Sequence, residues 1–231
     1  MKLPRRLLRV LLVAACVSPV PILAGQTTVG LHGGLTRATF SDLDAPVEQE
    51  ARSGIRFGVS ATVPVSGSLG FRFAGSYVQA GGGFALPNIF EFAPSIAPVD
   101  SPDGTVAAVA RRVTAGLNLD YFRFSAQARA ALPLESSSVA IYFLAGPFAG
   151  FRTACSMSIA EQGVSISADC DEADVELSTT DFGLSGGAGV EVSVSNSMGV
   201  ALEALYDLGL KDLEGAKTRV FSIVAGLVFS L

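Results

Sequence analysis

Between residues 181 and 194, hydrophobic and polar positions alternate without a break. Phe182, Leu184, Gly186, Ala188, Val190, Val192 and Val194 hold one parity; Asp181, Gly183, Ser185, Gly187, Gly189, Glu191 and Ser193 hold the other. A period of two over this length predicts an extended strand with one apolar and one polar face. The polar parity is mostly glycine and serine, small residues that suit the crowded interior of a narrow cylinder. The apolar parity is therefore expected to face outward, toward lipid, the reverse of a water-soluble sandwich.

The same rhythm recurs along the chain. A first strand over 27–40 sets Val29, Leu31 and Leu35 against Thr28, Gly30, His32, Gly34 and Thr36. A second, over 55–63, sets Ile55, Phe57, Val59, Ala61 and Val63 against Arg56, Gly58, Ser60 and Thr62. A third starts at Leu69, with Phe71, Phe73 and Tyr77 opposite Gly70, Arg72, Ala74 and Ser76, and weakens at Gly81, Gly82 and Gly83. The fourth, over 113–132, changes phase: Leu117, Leu119 and Tyr121 share a parity, then Phe122, Phe124, Ala126, Ala128 and Ala130 do. That slip predicts a bulge near Tyr121 and Phe122. Further strands are expected over 139–151, 181–194, 200–209 and 221–231.

The connections alternate in length. Short turns at 64–68, 133–138 and 195–198 separate polar stretches at 41–53, 84–112, 152–180 and 211–218. Proline at 87, 94, 98 and 102 forbids regular pairing through the second of these stretches. Eight strands with this alternation predict an all-β fold, an antiparallel up-and-down transmembrane β-barrel with short periplasmic turns and long external loops. Eight is also the strand number whose interior side chains just fill.

Composition supports a membrane protein that crosses with strands. The 231 residues are 49% hydrophobic with a mean hydropathy of +0.48. The most apolar run after the N-terminus, 139–151, is shorter than the ~20 residues of a spanning helix and contains Pro147. In lipid, only helices and closed barrels satisfy every backbone group.

Residues 1–24 have the form of an export signal: basic Lys2, Arg5, Arg6 and Arg9, an apolar run over 10–17, and small Ala24 at the cleavage point. Lipidation at Cys16, after Val13, Ala14 and Ala15, is the alternative processing route. A single barrel domain would then occupy 25–231. Cleavage near Ala24 leaves twelve basic residues against 21 acidic, a net charge of −9, which argues against a nucleic-acid partner. Outside this leader the only cysteines are Cys155 and Cys170; in an exported chain they are expected to form a disulfide. Zinc is not expected, because no CxxC is present and the only histidine, His32, is remote in sequence; no cofactor is expected either.

Several segments carry a family resemblance. Residues 118–124 (NLDYFRF), 140–151 (AIYFLAGPFAGF), 187–192 (GAGVEV) and the ending over 219–229 resemble the PorT-like family of outer-membrane barrels. Arg123 and Ser125 stand where that family usually has an acidic residue and a proline. The resemblance implies a bacterial outer-membrane location and the barrel architecture. It implies no assigned activity.

Strand parity places Arg56, Arg72, Arg123 and Arg129 inside the cylinder with Asp120, Glu191, Glu203 and Asp207. Four charges of each sign fit an ion-paired filling, since an unpaired buried charge is costly. His32 would be the one ordinary base for a lipid hydrolase, but its parity points it inward, away from acyl chains. Phe71, Phe73, Tyr77, Tyr121, Tyr206 and Phe229 are candidates for interfacial aromatics.

These features lead to the expectation of a non-catalytic scaffold embedded in outer-membrane lipid and presenting external loops. The apolar trio Ile89, Phe90 and Phe92 is the first candidate contact surface for an extracellular or periplasmic protein, and the loop closed by Cys155 and Cys170 is the second. The C-terminal strand, ending in Phe229 and Leu231, is expected to engage the barrel assembly machinery. A narrow channel or small-ligand carrier is the alternative function, ahead of a lipid-modifying enzyme.

Overall fold

The computed structural model describes residues 26–41, 48–87, 112–134, 138–161, 164–170, 178–211 and 216–231. The export signal, Cys16 and the trio Ile89, Phe90 and Phe92 lie outside the described residues.

Nine antiparallel strands form one sheet: β1 (Thr28–Ser41), β2 (Glu48–Ser66), β3 (Leu69–Pro87), β4 (Arg112–Pro133), β5 (Val139–Glu161), β6 (Val164–Asp169), β7 (Thr180–Ser193), β8 (Met198–Gly209) and β9 (Lys217–Ser230). β5 pairs with three strands, β4, β6 and β7, β6 with β5 alone, and every other strand with two neighbours. β1 pairs with both β2 and β9, and β4 with both β3 and β5, so β1–β5 and β7–β9 make a closed cycle of eight strands. Closure leaves no free edge in lipid. The ninth strand, β6, pairs only with the far end of β5 and lies outside the cycle. Residues 152–180, expected as a polar loop, thus contain the second half of β5 and a short returning strand.

The outer wall is apolar. Phe182, Leu184, Leu202, Phe73 and Ile223 are each more than half exposed, while their neighbours Asp181, Ser185, Glu203, Arg72 and Ser222 are buried inside. Polarity is reversed relative to a water-soluble fold, as the alternation over 181–194 predicts.

Toward the end of the cylinder remote from the short turns, the apolar face changes sides. On β4, Phe122 and Phe124 face outward, but Leu119 and Tyr121 are buried within. On β1, Leu31 and Leu35 face outward, then Arg37 does, while Ala38 and Phe40 turn inward. On β3, Phe71 and Phe73 give way to the internal pair Val78 and Ala80. Alternation within each strand continues through this zone; what changes is which face carries the oil. The switch is what a strand shows on leaving lipid for water, where the outer face becomes polar and the inner face packs. β5, at 23 residues, is long enough to do so, since about 9–11 residues cross a bilayer. Its outer half continues with Ser156, whose hydroxyl accepts from Asn118 Nδ2 on β4 at 3.3 Å.

The expected bulge is therefore corrected. β4 keeps its phase through Tyr121 and Phe122. The irregularity belongs to β5, where Asp120 faces Ala154, Tyr121 faces Arg152, and Thr153 is the extra residue. Tyr121 is not an interfacial aromatic, because it is fully buried in the lumen. The glycine run does not end β3 either. Gly81 has φ +119°, and the strand continues to Pro87.

Candidate functional site

The lumen is filled in tiers. Nearest the short turns, Arg129 Nη2 donates to Glu191 Oε2 at 2.8 Å, and its guanidinium lies 4.3 Å from the Tyr142 ring centre. Beside this pair, Arg72 Nη1 (2.7 Å) and Tyr142 OH (2.6 Å) both donate to Glu203 Oε1. Gly189 leaves the room for that tyrosine: a Cβ there would come within 2.5 Å of the Tyr142 ring.

The middle tier is a continuous network. Arg56 Nη1 and Arg123 Nη1 donate to Asp207 Oδ2 at 2.8 and 3.1 Å. Arg123 Nη2 donates to Asp181 Oδ2 at 3.0 Å, which also accepts from Thr218 Oγ1 at 2.9 Å. Ser185 Oγ donates to Asp207 Oδ1 at 2.6 Å and accepts from Gln127 Nε2 at 3.0 Å. Arg123 stacks 4.6 Å from the Phe148 ring centre. A small apolar cluster of Tyr142, Leu144, Leu205 and Val224 fills the remaining wall.

Above the ions lies an apolar tier of Ala38, Phe40, Val78, Ala80, Leu119, Tyr121, Ala216 and Val220, with Phe84, Leu117 and Cys155 packed on it. It separates the charges from the loop end. Near the turns, a residual cavity of about 20 Å³ among Arg72, Arg129, Tyr142, Glu191 and Glu203 has room for one water.

Of the eight charges predicted inside, seven are there: Arg56, Arg72, Arg123, Arg129, Glu191, Glu203 and Asp207. Asp120 is not. It lies between the buried Leu119 and Tyr121 and so points to the outer face, where Tyr77 OH donates to its Oδ2 at 2.6 Å and Arg52 Nη1 lies 3.4 Å from its Oδ1. Arg52 also donates to the Ala80 carbonyl. The fourth internal acid is instead Asp181, whose parity on β7 had already marked it as polar. Tyr142, Ser185, Gln127 and Thr218 were likewise not assigned a role, though each has inward parity.

The pairs follow the chain order. Every one of these four cations comes from β2, β3 or β4, and every one of the four anions from β7 or β8. Arg56–Asp207, Arg72–Glu203 and Arg123–Asp207 therefore span the lumen, while Arg123–Asp181 and Arg129–Glu191 reach over β5, the one strand between β4 and β7.

His32 faces the lumen within electrostatic reach of Arg56, Arg72 and Glu203, opposite Gly58 and Gly226 in the ladders. Among the described residues its Nδ1 has no hydrogen-bond partner, and the lumen side of β1 is closed to acyl chains. No cluster of metal-ligating side chains occurs among the described residues.

Cys155 and Cys170 form a disulfide with Cα atoms 5.5 Å apart, tying the end of β6 to β5 above the apolar tier. Because the bond braces an appended hairpin and not the closed cycle, C155S/C170S should leave barrel stability unchanged. Limited proteolysis should cut several-fold faster between 156 and 170.

A closed cycle with an oily outer wall and an ion-paired interior defines an integral outer-membrane barrel. The chain belongs to the outer membrane protein beta-barrel domain family, matched over residues 10–229, and with it to the Gram-negative outer membrane. No curated protein matches the sequence significantly. Similar solved structures include the neisserial surface protein A, 16% identical, with a TM-score of 0.48 over 89% of this chain and 97% of that one. OprG from Pseudomonas aeruginosa is 12% identical, with a TM-score of 0.47 over 90% and 96%. Ail, the attachment invasion locus protein of Yersinia pestis, is 14% identical, with a TM-score of 0.38 over 89% and 100%.

Proposed function

We infer that this protein is a non-catalytic, non-conducting scaffold that uses a plugged cylinder to hold an extramembrane sheet and its loops at the cell surface. One observation carries this reading: the lumen is blocked twice, by cross-lumen ion pairs and by the apolar tier above them. A water-filled path would require both to open, and buried paired charges resist separation. The long outer half of β5, paired with β6 and tied to it by the disulfide, suits presentation to a protein partner. The segments resembling PorT-like barrels support a place in that branch of the family. Phe229 and Leu231, outward on the closing strand, suit recognition by the barrel assembly machinery.

Planar-bilayer recording of the mature protein tests the reading. No steady unitary conductance is expected. Stable openings that vanish when Arg123 or Asp207 is replaced would instead make the lumen a gated pore, and the channel reading would stand.

A further inference from the structure

Most arginines whose side chains are described are matched with acids. Arg52, Arg56, Arg72, Arg123 and Arg129 each lie within 3.4 Å of a carboxylate oxygen. Arg152 on β5, Arg37 on β1 and Arg219 on β9 do not; Arg152 lies opposite the buried Tyr121, whereas Arg37 and Arg219 are exposed, and neither of these two has a carboxylate partner among the described residues. They are also neighbours. In the β1–β9 ladder Leu35 faces Ile223, Arg37 faces Phe221, and Thr39 faces Arg219. The alternate residues Thr36, Ala38, Thr218 and Val220 are buried inside, so Leu35, Arg37, Arg219, Phe221 and Ile223 share the outer wall. The two arginines are one diagonal step apart, about 7–8 Å at the backbone, within reach of a common ligand for side chains of this length.

Their depth is the second point. Leu35 is 70% exposed, Ile223 52% and Phe221 43%, and on β1 and β9 these are the last large apolar residues of the outer wall, Phe221 lying level with Arg37. The end concerned is the one remote from the short turns, which in such barrels is the outer leaflet side. Two guanidinium forks, without a carboxylate partner among the described residues, thus stand at headgroup level above an apolar wall, on a chain whose overall charge is −5. Guanidinium forks match phosphate geometry.

We propose that Arg37 and Arg219 clamp the phosphate of an outer-leaflet lipid, with its acyl chains lying along Leu35, Phe221 and Ile223. Such a bound lipid would sit across β1 and β9, the strand pair that closes the cylinder. The proposal rests on the membrane-spanning reading but is separable from it.

The test is lipid exchange into nanodiscs of phosphatidylcholine containing phosphatidic acid as the phosphate probe, with retained lipid counted by native mass spectrometry. The wild type should retain phosphatidic acid preferentially. R37Q should weaken that preference about fivefold and R37Q/R219Q about twenty-five-fold, at roughly one headgroup-level charge each. R37K/R219K should fall between, keeping charge but losing the fork. Heat-modifiable migration confirms folding, which these outward substitutions should leave intact. An unchanged preference in the folded double variant overturns the proposal, as does retention of a soluble sulfated polysaccharide without phosphatidic acid. Failure of the wild type to insert into lipid at all would overturn the membrane reading itself, whereas insertion without preference sinks only the clamp.

Discussion

Arg123→Ala should lower the stability of the folded protein in lipid vesicles by about 3–5 kcal/mol, the range for breaking a buried ion pair from one side. Arg123 is 2% exposed and serves two acids at once. Asp207 would keep Arg56 and Ser185. Asp181 would keep Thr218 and the backbone amide of Phe182 but no cation. The cost is therefore mostly that of a carboxylate stranded away from water. R123M/D181L should recover much of the loss, because it removes both charges and leaves Asp207 served. With no tryptophan in the chain, the convenient readout is the fraction showing heat-modifiable migration across a urea series. If R123A and wild type unfold at the same urea concentration, the ions do not hold the cylinder together.

Phe73→Arg is the complementary test, on the outside. Phe73 is 53% exposed at the middle of the outward run of β3. At the surface of a water-soluble protein such a change would usually fall within about 0.5 kcal/mol of neutral. On a barrel wall near the bilayer midplane it should cost about 2–4 kcal/mol, measured by the same urea series in vesicles. Phe73→Leu should be close to neutral. A harmless arginine at this site would mean that the oily wall does not meet lipid.

Much of the architecture can be read from alternation alone. The parity of 181–194 fixes which face is oily, and seven of the eight assigned lumen charges follow from the same rule. The misplaced charge has a specific cause. Parity assigns a face only if the oily side is known, and the oily side reverses where a strand leaves lipid. At Leu117, Leu119 and Tyr121 that reversal imitates the one-residue slip of a bulge, so Asp120 reads as internal; Asp181 is a different case, since its parity on β7 is inward throughout. The same reversal hides the outer half of β5: Ser156 and Ser158 on one face, with Ser165 and Ser167 on β6, look like a polar loop when the eye expects lipid-facing oil. The missing information is depth in the membrane, which no local pattern encodes.

The division of lumen charge along the chain has a consequence for biogenesis. Taken apart between β4 and β5 and between β1 and β9, the cylinder would give two curved leaves, an N-terminal one with the paired cations on its concave side and a C-terminal one with the paired anions. Neither leaf can bury its concave side alone, yet each attracts the other before the seam between first and last strands has zipped. Electrostatic attraction would thus fold the leaves together like a clamshell, and N- and C-terminal fragments expressed separately would carry the instructions to find one another.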